Sequence, residues 1–181
     1  MVSYRITKFD PAKRNEQGAY IDQAEWTAIS DVGKPAYGNL TYEEYEKTEI
    51  AYVEAVQVIL AEKEIECLNI DSLELRSTKR DFKEYHNSGR LRGIEVDFNK
   101  DIKRLRNGLP LNQNQIGVMT RLILRETIWM LLVDNSVEVR FGYDYYMYVK
   151  CPKLKPVTIK RIEESGLFVE ADIAQRKFRF I

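Results

Sequence analysis

Few side chains in this chain could do chemistry. His86 is the only histidine, and Cys67 and Cys151 are the only cysteines. A thiolate at either cysteine with His86 as its base is arithmetically available, but neither cysteine carries the local sequence of a known nucleophile. Two distant cysteines and one histidine give no zinc spacing. Asp97-Phe-Asn-Lys-Asp101 opens like a calcium loop, yet its sixth position is Ile102 instead of glycine and its twelfth is Gly108 instead of glutamate. Gly89-Arg-Leu-Arg-Gly93 is a basic turn without phosphate-loop spacing. Glu43 and Glu44, like Glu163 and Glu164, are adjacent on helices and so point apart. No catalytic residue, metal site or cofactor is assigned on these grounds. A pocket gathering Arg140, Asp144 and His86 is the alternative that a small enzyme or small-molecule binder would need.

Charge and aromatic placement say more. Residues 41 to 66 hold eight acids against Lys47 and Lys63, a net of −6, while residues 76 to 106 hold ten bases against five acids, a net of +5. Such blocks form solvated faces that partly neutralise each other, or they present a field to a partner of opposite sign. On the second reading Glu43, Glu46, Glu49 and Glu54 attract a basic protein. Residues 137 to 150 alternate strictly: Val137, Val139, Phe141, Tyr143, Tyr145, Met147 and Val149 fall on one face. Glu138, Arg140, Gly142, Asp144, Tyr146, Tyr148 and Lys150 fall on the other. Tyr146 and Tyr148 then project side by side, either as anchors of a protein interface or as core beneath a covering helix.

The elements that must position these residues read as follows. Residues 2 to 9 alternate as a first strand. Asp22-Gln-Ala-Glu25 spaces like a capping box before a short helix that stops near Gly33. Thr41-Tyr-Glu-Glu44 opens a long helix to about Glu62, with Tyr45, Tyr52, Val56, Ile59 and Lys63 on one face. Residues 67 to 76 form one or two strands. Short helices are expected near residues 81 to 87 and 99 to 106, with a short strand at 94 to 98. A second long helix is expected from Asn112 to Val133, and residues 137 to 150 make one long strand in which Gly142 marks a bulge. Pro156 starts a third, shorter helix that Gly166 stops. Residues 167 to 170 and 177 to 181 close the chain as strands. The expected class is α+β, a mainly antiparallel sheet packed with two long helices and a shorter C-terminal one, in a single globular domain over residues 1 to 181.

The totals agree with a partner-binding protein. Of 181 residues, 44% are hydrophobic and 31% charged, with 28 bases balancing 28 acids. That balance argues against a disordered chain, and zero net charge against a dedicated nucleic-acid binder. No signal-like or membrane-spanning run is seen, and two cysteines are too few for a disulfide framework, so a cytoplasmic protein with reduced thiols is expected.

Several segments carry a resemblance as a set. They are Tyr4-Arg-Ile-Thr-Lys-Phe-Asp-Pro11, Arg14-Asn-Glu-Gln-Gly18 with Tyr20, Glu25-Trp-Thr-Ala-Ile-Ser-Asp-Val-Gly33, Phe141-Gly-Tyr-Asp-Tyr-Tyr-Met-Tyr148 and Gly166-Leu-Phe-Val-Glu170. Together they resemble a family of small uncharacterised bacterial proteins of the kind found among immunity proteins to polymorphic toxins. The likeness spans both ends and thins between Leu73 and Leu111. It implies no catalytic motif and a protein partner, a cognate toxin, held on a rigid complementary surface. Oligomeric state stays open, a homo-oligomeric subunit being the remaining alternative.

Overall fold

The computed structural model describes residues 1–16, 25–75 and 77–171. Among them, seven strands form one antiparallel sheet that packs with four helices, an α+β fold. The strands are β1 (Val2–Thr7), β2 (Cys67–Glu74), β3 (Pro110–Asn112), β4 (Trp129–Val133), β5 (Glu138–Phe141), β6 (Tyr146–Cys151) and β7 (Phe168–Ala171). The helices are α1 (Tyr42–Glu62), α2 (Lys79–Asn87), α3 (Gln113–Leu124) and α4 (Pro156–Glu164). Across the sheet the order is β3-β2-β4-β5-β6-β1-β7. The first strand therefore lies between two strands from the far end of the chain, with Tyr4 opposite both Val149 and Ala171.

Capping chemistry sets the helix starts. Thr41 Oγ1 accepts from the Glu44 amide at 3.2 Å while the Glu44 carboxylate accepts from the Thr41 amide at 2.9 Å. Thr78 with Asp81 and Asn112 with Gln115 repeat the device at α2 and α3. On α1, Tyr45, Tyr52, Val56 and Ile59 are all buried, as their spacing predicts. They meet Tyr4, Ile6, Leu68, Ile70, Leu132, Val139, Met147 and Val149 from one face of the sheet in a continuous core. Burying such side chains contributes roughly 1.5–3 kcal/mol each.

Two expected elements break in ways with a physical cause. The second long helix ends at Leu124 instead of Val133. Glu126 turns left-handed (φ 57°), and the Thr127 amide and hydroxyl both donate to the Leu122 carbonyl, which closes the helix. Residues 129–133 then enter the sheet as its β4 strand. A continuous apolar run fits a buried strand as well as a buried helix, so periodicity alone did not separate them. The long tyrosine strand is likewise a hairpin, β5 and β6. Asp144 and Tyr145 at its tip have φ of 55° and 60°. The bulge read at Gly142 is the hairpin turn, its amide donating to the Tyr146 carbonyl at 2.7 Å. Phe141 pairs with Met147, so odd residues stay on one face through the turn and the alternation conceals it. Tyr143, read as apolar-face, sits on the tip and is 75% exposed.

Smaller differences follow the same pattern. Residues 29–31 and 35–37 make single 3₁₀ turns instead of a short helix. Residues 94–97 pair in no strand among the described residues, and a single π turn occupies Phe98–Ile102. Cys67 is exposed and Cys151 buried, and both are free thiols. No helix among the described residues is long and apolar enough to cross a membrane. The helix start read at Asp22 and the strand read at residues 177–181 lie outside the described residues.

Candidate interaction surface

Alternation on β6 sends Met147, Val149 and Cys151 into the core and sets Tyr146, Tyr148 and Lys150 on the opposite face. Strand register carries that face across the sheet. Leu131 lies opposite Arg140, Arg140 opposite Tyr148, Tyr148 opposite Arg5, and Arg5 opposite Glu170. A row from β4 through β5, β6 and β1 to β7 thus crosses the strands. Trp129, Val133 and Glu138 flank it, and all these side chains are half-buried, whereas those of the core face lie within a few per cent of full burial.

The rings and guanidiniums on this face interleave. Tyr146 and Tyr148 stack with centroids 6.4 Å apart and planes 18° from parallel. Arg5 lies 5.7 Å from the Tyr146 centroid and Arg140 lies 5.2 Å from that of Tyr148. Burial raises the Tyr148 hydroxyl above its ordinary range, against the opposing pull of Arg5 and Arg140. Arg140 has no carboxylate within ion-pair distance among the described residues. At the hairpin tip Tyr143 packs on Trp129, centroids 5.5 Å apart, and extends the aromatic surface.

Glu170 anchors the β7 end. Arg5 Nε and Nη2 donate to its two oxygens at 2.7 Å each, and Arg14 adds contacts of 2.6 and 2.9 Å. Burial alone would raise this carboxyl, but the hydrogen bonds from Arg5 and Arg14 outweigh it and bring it down to about 2. A carboxyl depressed from 4.5 contributes stability that is complete above about pH 4.5 and lost as the pH falls towards 2. Because the group keeps partial contact with water, Glu170→Gln is expected to cost about 1–2 kcal/mol at pH 7. Thermal melts of the two proteins should converge by pH 2; a gap that persisted there would place the effect in packing.

The four glutamates expected to attract a partner scatter among different environments. Glu54 is exposed on α1, and Glu43 is exposed beside Arg92 at 3.6 Å. Glu46 accepts from Arg121 Nη2 at 2.9 Å. Glu49 is a correction: it is fully buried and cannot meet a partner. Arg125, also fully buried, grips it through Nε and Nη2 at 2.6 and 2.7 Å, and Arg121 Nε adds a third contact at 2.6 Å. The acidic helix thus neutralises two arginines of α3 and its C-terminus. Signals for this existed, since Arg121 and Arg125 are four residues apart within the most apolar stretch of the chain. Arg140 was expected on the sheet face from the alternation, whereas Arg5, Trp129 and Glu170 joined it unforeseen, because strand order decides which rows align.

Beside the hairpin tip a small-molecule site would find little room. The cleft beside the hairpin tip, lined by Thr27, Glu126, Trp129, Gly142, Asp144 and Tyr145, holds about 10 Å³, the space of a single water. Arg140, Asp144 and His86 exchange no hydrogen bond or ion pair with one another. Comparison of the chain with protein-family models, with curated proteins and with solved structures gives no match.

Proposed function

We propose that the protein is a non-catalytic, cytoplasmic binding protein that neutralises a bacterial toxin in the manner of an immunity protein, holding it on the sheet face centred on Tyr148 and Arg140. The observation that carries the surface is the row of half-buried aromatic and guanidinium groups on a rigid antiparallel sheet. Tyrosine, tryptophan and arginine supply large contact area at low rotamer cost and dominate interface energetics. Leu131 and Val133 beside them offer apolar contact, and Arg140 would meet a carboxylate of the partner. The neutralising role rests on the sequence resemblance, which implies a protein partner and no catalysis.

The test begins with capture by tagged protein from a bacterial lysate at low and high salt, with identification by mass spectrometry. The purified partner is then titrated with wild type, Tyr148→Ala and Arg140→Glu. Each substitution is expected to weaken binding about tenfold or more, while Glu54→Lys on α1 leaves it within about twofold. Unchanged affinity for both sheet-face variants, with melting temperatures preserved, would remove this surface. A partner with no toxic activity of its own would remove the neutralising role.

A further inference from the structure

We propose that the lobe built from α2, the π turn and the loop that follows it binds the phosphate backbone of a nucleic acid, independently of the sheet face. Ring packing joins the pieces. Phe82 on α2 lies 5.3 Å from Phe98 at the start of the π turn and 5.7 Å from Tyr85. The loop after the turn is fixed to the β2 edge, where Asn107 Oδ1 accepts from the Leu73 amide at 2.9 Å and the Gly108 amide donates to the Ile70 carbonyl at 2.7 Å. One end of the molecule therefore carries Lys79, Lys83, Lys100, Lys103, Arg104 and Arg106, all exposed.

The ion pairs show which charge the fold leaves unmatched. Glu46 and Glu49 on α1 are held by Arg121 and Arg125, Glu44 by its cap and Glu62 by Lys63. Among the described residues of the basic side, Arg80, Arg90 and Arg92 pair, with Glu84, Glu126 and Glu43. Asp81, Asp97 and Asp101 accept from the backbone amides of Thr78, Lys100 and Asp97 at the surface, and with the exposed Glu95 they offset part of this charge. The remaining six cations make no ion pair among the described residues. Zero net charge thus averages this basic end with acids carried elsewhere, among them the exposed Glu54, Glu64 and Glu66 of α1 and the turn after it.

Composition selects the class of anion. Protein interfaces are built around apolar and aromatic centres and are depleted of lysine. Four of these six cations are lysines, and Phe82, the aromatic at the centre of the lobe, is buried. Mobile point charges around no apolar centre suit repeated phosphates, whose contacts position a chain without reading its sequence.

Fluorescence anisotropy with a labelled single-stranded 20-mer and a 20-bp duplex, from 50 to 200 mM salt, tests this on the full chain. If all six cations engage, the log–log salt slope is about −4 for the single strand and about −5 for the duplex. Lys100→Glu with Lys103→Glu should reduce that slope by about two and weaken binding at least tenfold at 50 mM salt. Lys160→Glu on α4 should leave both within error, and circular dichroism should be unchanged for all three proteins. A slope shallower than about −2, or one that the paired reversal leaves in place, overturns the proposal. Displacement by polyglutamate as readily as by unlabelled DNA would overturn it too, in favour of an acidic protein.

Discussion

Glu49→Gln is expected to destabilise the protein by about 3–5 kcal/mol although it barely changes the shape of the side chain. Arg125 has five N–H donors, and the fold uses every one. Nε and Nη2 hold Glu49, Nη1 reaches the Arg90 and Arg92 carbonyls at 2.8 Å each, and Nη2 also reaches the Tyr42 hydroxyl at 3.3 Å. Burial alone would lower the Arg125 guanidinium, but its contacts with Glu49 outweigh this and hold it charged. Removing the negative partner leaves that cation in an apolar surround with only dipoles to meet it. The penalty is desolvation, which explains why a small edit has a large effect. Loop and helices are joined at the same point: Arg121 Nη1 donates to the Gly93 carbonyl at 2.8 Å, and a Cβ at Gly93 would lie 3.0 Å from Glu46 Oε1. Chemical denaturation should show the loss, and amide exchange should accelerate across residues 89–94 before it does elsewhere. Glu49→Leu with Arg125→Met should cost less than the sum of its two single changes. A loss below about 1 kcal/mol for Glu49→Gln would mean that water reaches the cluster.

The same cluster marks the limit of what the sequence reveals. Local rules placed the cap at Thr41, the helix start at Asn112 and the stop at Gly166, because each depends on residues within a few positions. Period-two alternation also placed Tyr146 and Tyr148 on the face opposite Met147 and Val149, as the hairpin keeps parity, but left open whether that face was covered. Glu49 was read as an exposed acid because its partners are 72 and 76 positions away, and a charge count over residues 41 to 66 cannot see them. Charge blocks therefore gave the correct sums but not which members reach the surface. Glu46 and Glu49 are tied to Arg121 and Arg125, while Glu54, Glu64 and Glu66 stay exposed. The row from Leu131 to Glu170 needed the strand order, in which β1 separates β6 from β7, and that order is a property of the whole chain.

Tyr52→Phe, which removes one oxygen, is expected to cost about 2–4 kcal/mol. The Tyr52 hydroxyl donates to the Tyr145 carbonyl and accepts from the Lys8 amide at 2.8 Å, joining α1 to both the hairpin tip and the end of β1. Phenylalanine would fill the same space and leave a half-buried donor and a buried acceptor without partners. The location adds to the penalty. Tyr145 and Asp144 both hold left-handed backbone at non-glycine positions, a conformation that persists only where the surroundings over-determine it. Edge-on packing of the Tyr145 ring against Trp26, Tyr52 and Tyr45, at 5.1, 5.6 and 6.2 Å, supplies the rest of that constraint. Loss of the hydroxyl should thus loosen residues 142–146 first, seen as faster amide exchange there at temperatures where the core is still protected. Because β5 and β6 carry Arg140 and Tyr148, a looser tip should also weaken the partner proposed for the sheet face, chiefly through a faster off-rate. A variant that melts within about 1 kcal/mol of wild type, with exchange at the tip unchanged, would show that ring packing alone holds the turn.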